Sequence, residues 1–234
     1  MADKTILLFE AKCASTAAGK QASLGESDIF ASGRSIVWRA SDGVSAGCVH
    51  WRGKASSAGF PQTEALVVVA GRLVIHSDDS TYDLSSGASL VIGRGARITA
   101  ESEEGTRWIY CATTAATTSM PRVVEIRNDA PLAPSEPPPA RYLEKETPQC
   151  SNFRAFVDES AGFRAGVWTA TPHVRLSRPH PAHELMYILS GQAEVTDADG
   201  TALRIGPGDA IFVPRGTVNR LTLHSNIKKI FAIA

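Results

Sequence analysis

No stretch of this chain approaches the roughly 20 consecutive apolar residues that a membrane-spanning helix needs, so an integral helical membrane protein is excluded. Charge of either sign is not in excess: 24 Lys and Arg face 24 Asp and Glu, and the formal net charge is zero. Nucleic acid and anionic membrane select basic surfaces, so neither is expected as a partner. Cysteine is scarce and scattered. Cys13, Cys48, Cys111 and Cys150 form no CxxC and no close pair, which points to free buried thiols in a reducing cytoplasm rather than a disulfide framework. The N-terminus, MADKTILLFEAK, has no basic lead and no small-residue cleavage site, so no signal peptide is expected. There is no P-loop, no dinucleotide glycine fingerprint and no Ser-His-Asp arrangement, which argues against nucleotide and covalent serine chemistry. No long amphipathic helix is evident either.

What the chain does contain is a repeat. Residues 64–71 read EALVVVAG and residues 184–191 read ELMYILSG. GASLVIGRGA (87–96) matches GDAIFVPRGT (208–217), and GCVHW (47–51) stands where GVWTA (166–170) does. Glu64 and Glu184 are 120 residues apart, as are Gly71 and Gly191, while Gly95 and Gly216 are 121 apart. A constant offset over separated landmarks indicates internal duplication. Each copy reads as short strands broken by turn signals such as DADG, SSG and GPG, hence a sandwich or barrel. The segments 11–27 and 133–146 read as irregular crossings, the second because Pro137, Pro138 and Pro139 exclude helix interior and central strand. RVVEIRN (122–128) and TILLFEA (5–11) read as the opening strands of the two copies. The boundary therefore falls at 118/119, giving units 1–118 and 119–234.

These motifs resemble the cupin superfamily. GDAIFVPRG (208–216) fits its second motif up to the last position, where Asn219 stands in place of histidine. The second copy, from AGVWTATP to NIKKIFAI, is most similar to the branch containing (S)-ureidoglycine aminohydrolase and the ethanolamine-utilisation cupin. The resemblance implies an all-β fold of two tandem RmlC-like jelly-roll barrels. It also implies a metal site, whose ligand positions here carry Arg178, His180, Glu184 and Asn219. Period-two alternation puts 178, 180 and 184 on one strand face and His183 on the other. Arg175 shares parity with neither Arg178 nor His180 and stays outside the set.

Arg178 has no lone pair to give a metal and repels a divalent cation. Two readings stay open. In one, His180, Glu184 and Asn219, with His183 in reserve, hold manganese, iron or zinc. In the other there is no cofactor, and Arg178 clamps a substrate carboxylate in a two-pronged hydrogen bond. Trp168 and Leu185 would supply apolar walls, and His180 and Glu184 would move protons. By resemblance, the reaction would be hydrolytic deamination of a ureido compound. A non-catalytic small-carboxylate binder and a pure scaffold are the alternatives. In the first copy the matching positions are Ala58, Phe60, Glu64 and Ile98, which cannot ligate a metal. That barrel is expected to be structural and filled by side chains such as Phe60, Val67 and Val69. Exposed edge strands would favour a homodimer.

Overall fold

The computed structural model describes residues 4–234, and among these the chain is almost entirely β: 21 strands and two single-turn 3-10 helices, Ala11–Cys13 and Ala140–Tyr142. The duplication is visible at atomic detail. Gly71 and Gly191, which end the paired EALVVVAG and ELMYILSG strands, take φ of +81° and +89°. A Cβ would lie 2.3 Å from the Gly105 carbonyl oxygen in one copy and 2.2 Å from that of Asn226 in the other. Only glycine satisfies both the left-handed backbone and the close approach.

In the second copy, an antiparallel run joins Cys150–Asp158, Phe163–Ala170, Ile227–Ile233, Glu184–Ser190 and Ala210–Val213 in that spatial order. A smaller sheet of His173–Pro179, Val218–Leu223, Ala193–Asp197 and Ala202–Ile205 closes the barrel. In the first copy, the long strands Val44–Ser57 and Ile98–Thr113 bend through both layers, so its strands form one continuous sheet. The copies exchange their opening strands. Ile6–Glu10 pairs with Ala210–Val213 of the second barrel, and Val123–Glu125 pairs with Ser89–Ile92 of the first. The sheets therefore cross the expected 118/119 division at these two strands.

Three buried clusters follow from strand parity. Leu66, Val68, Phe60, Phe30 and Trp108 fill the first barrel, with Phe30 edge-on to Trp108 at 5.0 Å and to Phe60 at 6.0 Å. Met186, Ile188, Ile211, Val213 and Leu223 pack inside the second. Between them lies a shared seam to which Val67, Val69, Ile109, Leu185, Tyr187, Phe212 and Ile230 contribute. The expectation that Val67 and Val69 fill the first barrel is therefore corrected: they point at the other barrel, and Leu66 and Val68 point inward. Leu185 likewise packs in the seam and is no wall of the site.

The proline-containing crossing lies along the second barrel. Leu143 bridges to Arg175, the Glu144 amide donates to the Val174 carbonyl at 3.1 Å, and Arg220 pairs with the Glu144 carboxylate at 2.8 Å. All four cysteines are free. Cys111 and Cys150 are buried as expected, Cys48 is partly so, and Cys13 is exposed. Among the described residues no helix is long and apolar enough to cross a membrane.

Candidate functional site

The strand His173–Pro179 carries a β-bulge. Arg175 pairs with Leu221 and Arg178 with Asn219, so three steps on one strand match two on the other. The extra residue reverses side-chain parity. Arg175, which simple alternation excludes, therefore lines the barrel cavity. Arg178 instead stacks its guanidinium on the Tyr142 ring of the crossing segment, 4.4 Å from the centroid. Arg175 Nη2 approaches Asn219 Oδ1 at 3.5 Å, a long contact, and its Nε is buried without a partner, as is Asn219 Nδ2.

Glu184 opens the strand Glu184–Ser190 and is buried at the centre of the cluster. Its Oε1 accepts from Lys229 Nζ at 2.7 Å, and its Oε2 lies 3.2 Å from His180 Nε2. His180 is held by its other nitrogen, since Nδ1 donates to the Ala182 carbonyl at 2.8 Å. Burial would push the Glu184 carboxyl up. The Lys229 charge, reinforced by His180, overrides that and holds it well below the usual carboxylate range. The Lys229 ammonium also sits 5.0 Å from the Trp168 ring centroid, a cation–π contact.

Lys229 is the residue that motif reading misses. It belongs to Ile227–Ile233, where Phe231 and Ile233 share its face and line the same cavity. The available signal was the lysine of IKKIFAI that shares a face with Ile227, Phe231 and Ile233, which is costly to bury unless it is paired.

The cavity measures about 270 Å³. Trp168 and Glu184 line it, together with Arg154, Arg164, Arg175, Lys229 and His173. His180 and Asn219 stand behind that lining, touching Glu184 and Arg175. His173 donates through Nδ1 to the Thr171 carbonyl at 2.9 Å. Burial, with the nearby charges of Arg175 and Lys229, holds its imidazole below the ordinary histidine range, so it is neutral at pH 7 with Nε2 as an acceptor.

His183 belongs to a different structure. Its Nδ1 accepts from the Arg215 amide at 2.9 Å, its Nε2 lies 3.3 Å from Asp42 Oδ2, and its ring packs on Trp38 at 4.7 Å. It ties the two barrels together, with both ring nitrogens turned to partners away from Glu184.

The donor set does not fit a divalent metal. Lys229 holds Glu184 Oε1, and the cations of Lys229 and Arg175 occupy the space an ion's charge would fill. Among the described residues no three His, Cys, Asp or Glu side chains are grouped as metal ligands.

The first barrel shows the same substitution carried further. Arg34, fully buried, bonds Asp28 through Nε at 2.7 Å and Glu64 through Nη2 at 2.9 Å. Gln62 Nε2 donates to Glu64 Oε2 at 3.0 Å, and Trp108 Nε1 approaches Oε1 at 3.4 Å. Trp108 pairs with Val68 and Lys229 with Ile188, so these two donors occupy the same register position in the two copies. Phe60 and Ile98 are buried and Ala58 is exposed.

Comparison with known proteins agrees with this architecture. Residues 157–231 match the EutQ-like cupin domain family. A crystal structure from Pseudomonas syringae pv. tomato str. DC3000, of a protein of unknown function in the DUF861 family, is 31% identical over 98% of this chain and 99% of its own, with a TM-score of 0.94. The chain belongs to the DUF861 family of cupins. Remoter structures share the fold. YlbA from E. coli, also DUF861, is 16% identical over 82% of this chain and 76% of its own, with a TM-score of 0.51. A variant of salicylate 1,2-dioxygenase from Pseudoaminobacter salicylatoxidans is 12% identical over 82% and 71%, with a TM-score of 0.52. Comparison with curated proteins returns no match.

Proposed function

We propose that the second barrel is a metal-independent site for a small carboxylate. The observation that carries this reading is the Lys229–Glu184 pair, which puts a fixed ammonium at the centre of the barrel. Glu184 neutralises part of that charge and aims it. Arg175, whose Nε has no partner in the protein, supplies the planar fork that grips a carboxylate through two hydrogen bonds. It takes the role that sequence reading gave to Arg178. Trp168 and Phe231 provide the apolar wall. His180 and Asn219 position Glu184 and Arg175. The deamination implied by the family resemblance relies on a metal, for which this donor set leaves no place. The four free thiols support the expected reducing compartment.

His173 favours a catalytic form of the same site. A neutral imidazole beside bound carboxylate can take a proton from the adjacent carbon, while Arg175 and Lys229 stabilise the charge that develops on the carboxylate. The two forms separate on whether a bound carboxylate exchanges its α-proton with deuterated solvent, read by NMR, and whether His173→Asn stops it.

The founding test is metal content by plasma mass spectrometry after incubation with manganese and zinc, together with calorimetric titration of small carboxylates with and without chelator. Carboxylate binding that ignores the chelator supports the reading. Near-stoichiometric metal, lost in Glu184→Ala, overturns it.

A further inference from the structure

The chain as a whole is electrically balanced, yet one cavity of about 270 Å³ collects Arg154, Arg164, Arg175 and Lys229 around a single carboxylate, Glu184. Lys229 is committed to Glu184. Three guanidinium groups then remain without a carboxylate. The side chains of Arg154 and Arg164 make no ion pair or hydrogen bond among the described residues, although other exposed arginines, such as Arg72, Arg204 and Arg215, pair with carboxylates.

The cations also fall into two levels. Lys229 is buried and Arg175 half-buried, at the depth of Glu184, while Arg154 and Arg164 are exposed at the rim. The rim pair is built by the sheet. Arg154 pairs with Gly166, two residues from Arg164 on the same face of the neighbouring strand, beside a bulge between Arg154 and Phe156. Gly166 puts no side chain between Arg164 and Trp168 on that face.

Resting on the carboxylate reading above, we infer that the ligand is a small dianion, a dicarboxylate with one group held at depth by Arg175 and Lys229 and the other by Arg154 and Arg164 at the rim. A monocarboxylate leaves the rim pair uncompensated. At about 30 Å³ per water, the cavity has the room of roughly nine waters, which suits a short-chain ligand.

The test is calorimetric titration of the whole protein, in buffer free of carboxylates, with malonate, succinate and glutarate, each against its own monoamide. The amide keeps the shape and removes one charge. For at least one chain length the dicarboxylate should bind about tenfold or more tightly than its monoamide, the scale of one added charge-assisted contact pair. In the Arg154→Gln/Arg164→Gln double variant, whose side chains are exposed and do not support the core, that advantage should shrink to about twofold or less. Equal binding of acid and monoamide by the unmodified protein, or an undiminished advantage in the double variant, overturns the dianion inference and leaves the carboxylate site standing. Binding of neither series overturns both.

Discussion

Replacing Lys229 by methionine keeps the length of the side chain and removes its charge, and it leaves Glu184 as a buried carboxylate whose nearest cation is gone. Both side chains are 10% exposed, so the interaction lies out of water and is only weakly screened. Breaking a buried pair by removing one partner costs about 3–5 kcal/mol. For a chain of this length each kcal/mol moves Tm by about 2–4 °C, so Lys229→Met should lower Tm by roughly 6–20 °C. The pH dependence supplies the sharper signature. In the native protein the Glu184 carboxyl is held below its ordinary value. Its contribution to stability is therefore complete above the unfolded value of about 4.3 and is lost only as pH falls toward the depressed one. In Lys229→Met, burial no longer meets that opposing charge and pushes the carboxyl up. The native state then holds a proton that the unfolded state releases, so stability falls as pH rises from about 4.3 toward neutrality. Thermal melts followed by near-ultraviolet circular dichroism from pH 4 to 8 would show both effects. The double variant Lys229→Met/Glu184→Met removes the unpaired charge and should recover most of the lost Tm. A single variant that melts with the native protein and keeps a native pH profile would refute the reasoning that Lys229 and Glu184 form one electrostatic unit.

Three further outcomes are expected. Arg34→Met strands two buried carboxylates, Asp28 and Glu64, and should destabilise by at least about 3–5 kcal/mol in urea unfolding; a loss below about 1 kcal/mol would show that the first barrel tolerates the unpaired charges. Gly191→Ala would set a Cβ 2.2 Å from the Asn226 carbonyl oxygen at a φ of +89°. It should destabilise by more than the roughly 0.4–1 kcal/mol that an unstrained Gly→Ala replacement gains, and Gly71→Ala should behave alike in the other copy. Carboxylate affinity should be level between pH 7 and 8, where His173 is neutral, and strengthen as pH falls through the depressed value of His173 and the imidazole gains a positive charge. That rise should vanish in His173→Asn, and a pH-independent affinity in the native protein would place His173 away from the ligand.

The parts of this structure legible in the sequence are those that backbone chemistry dictates locally. Gly71 and Gly191 stand where the chain needs positive φ, and their constant spacing discloses two copies of one barrel. The positions of Glu64 and Glu184 follow from the same spacing. The rest was hidden for identifiable reasons. In EALVVVAG both faces of the strand are buried, one inside the barrel and one in the seam, so no polar residue alternates to say which face is which. The bulge between Arg175 and Arg178 has no residue signature here, and one unseen extra residue suffices to exchange the inward arginine for the outward one. The opening strands of the copies are equivalent in pattern, and sequence alone does not say which sheet each one joins.

The cations opposing the two central glutamates are the most instructive omission. Glu64 receives its charge from Arg34 on the strand Arg34–Arg39, and Glu184 receives it from Lys229 on Ile227–Ile233. At the position equivalent to Lys229, the first copy has Trp108 and its neutral N–H. The carboxylate thus keeps its place in both copies while its counter-charge arrives from different directions. In the first barrel, Arg34 comes with Phe30, Phe60 and Trp108, which fill the interior. In the second, the slimmer lysine leaves the space beside it open. This difference in how one buried charge is balanced leaves a cavity beside Glu184 in the second barrel and a filled interior around Glu64 in the first.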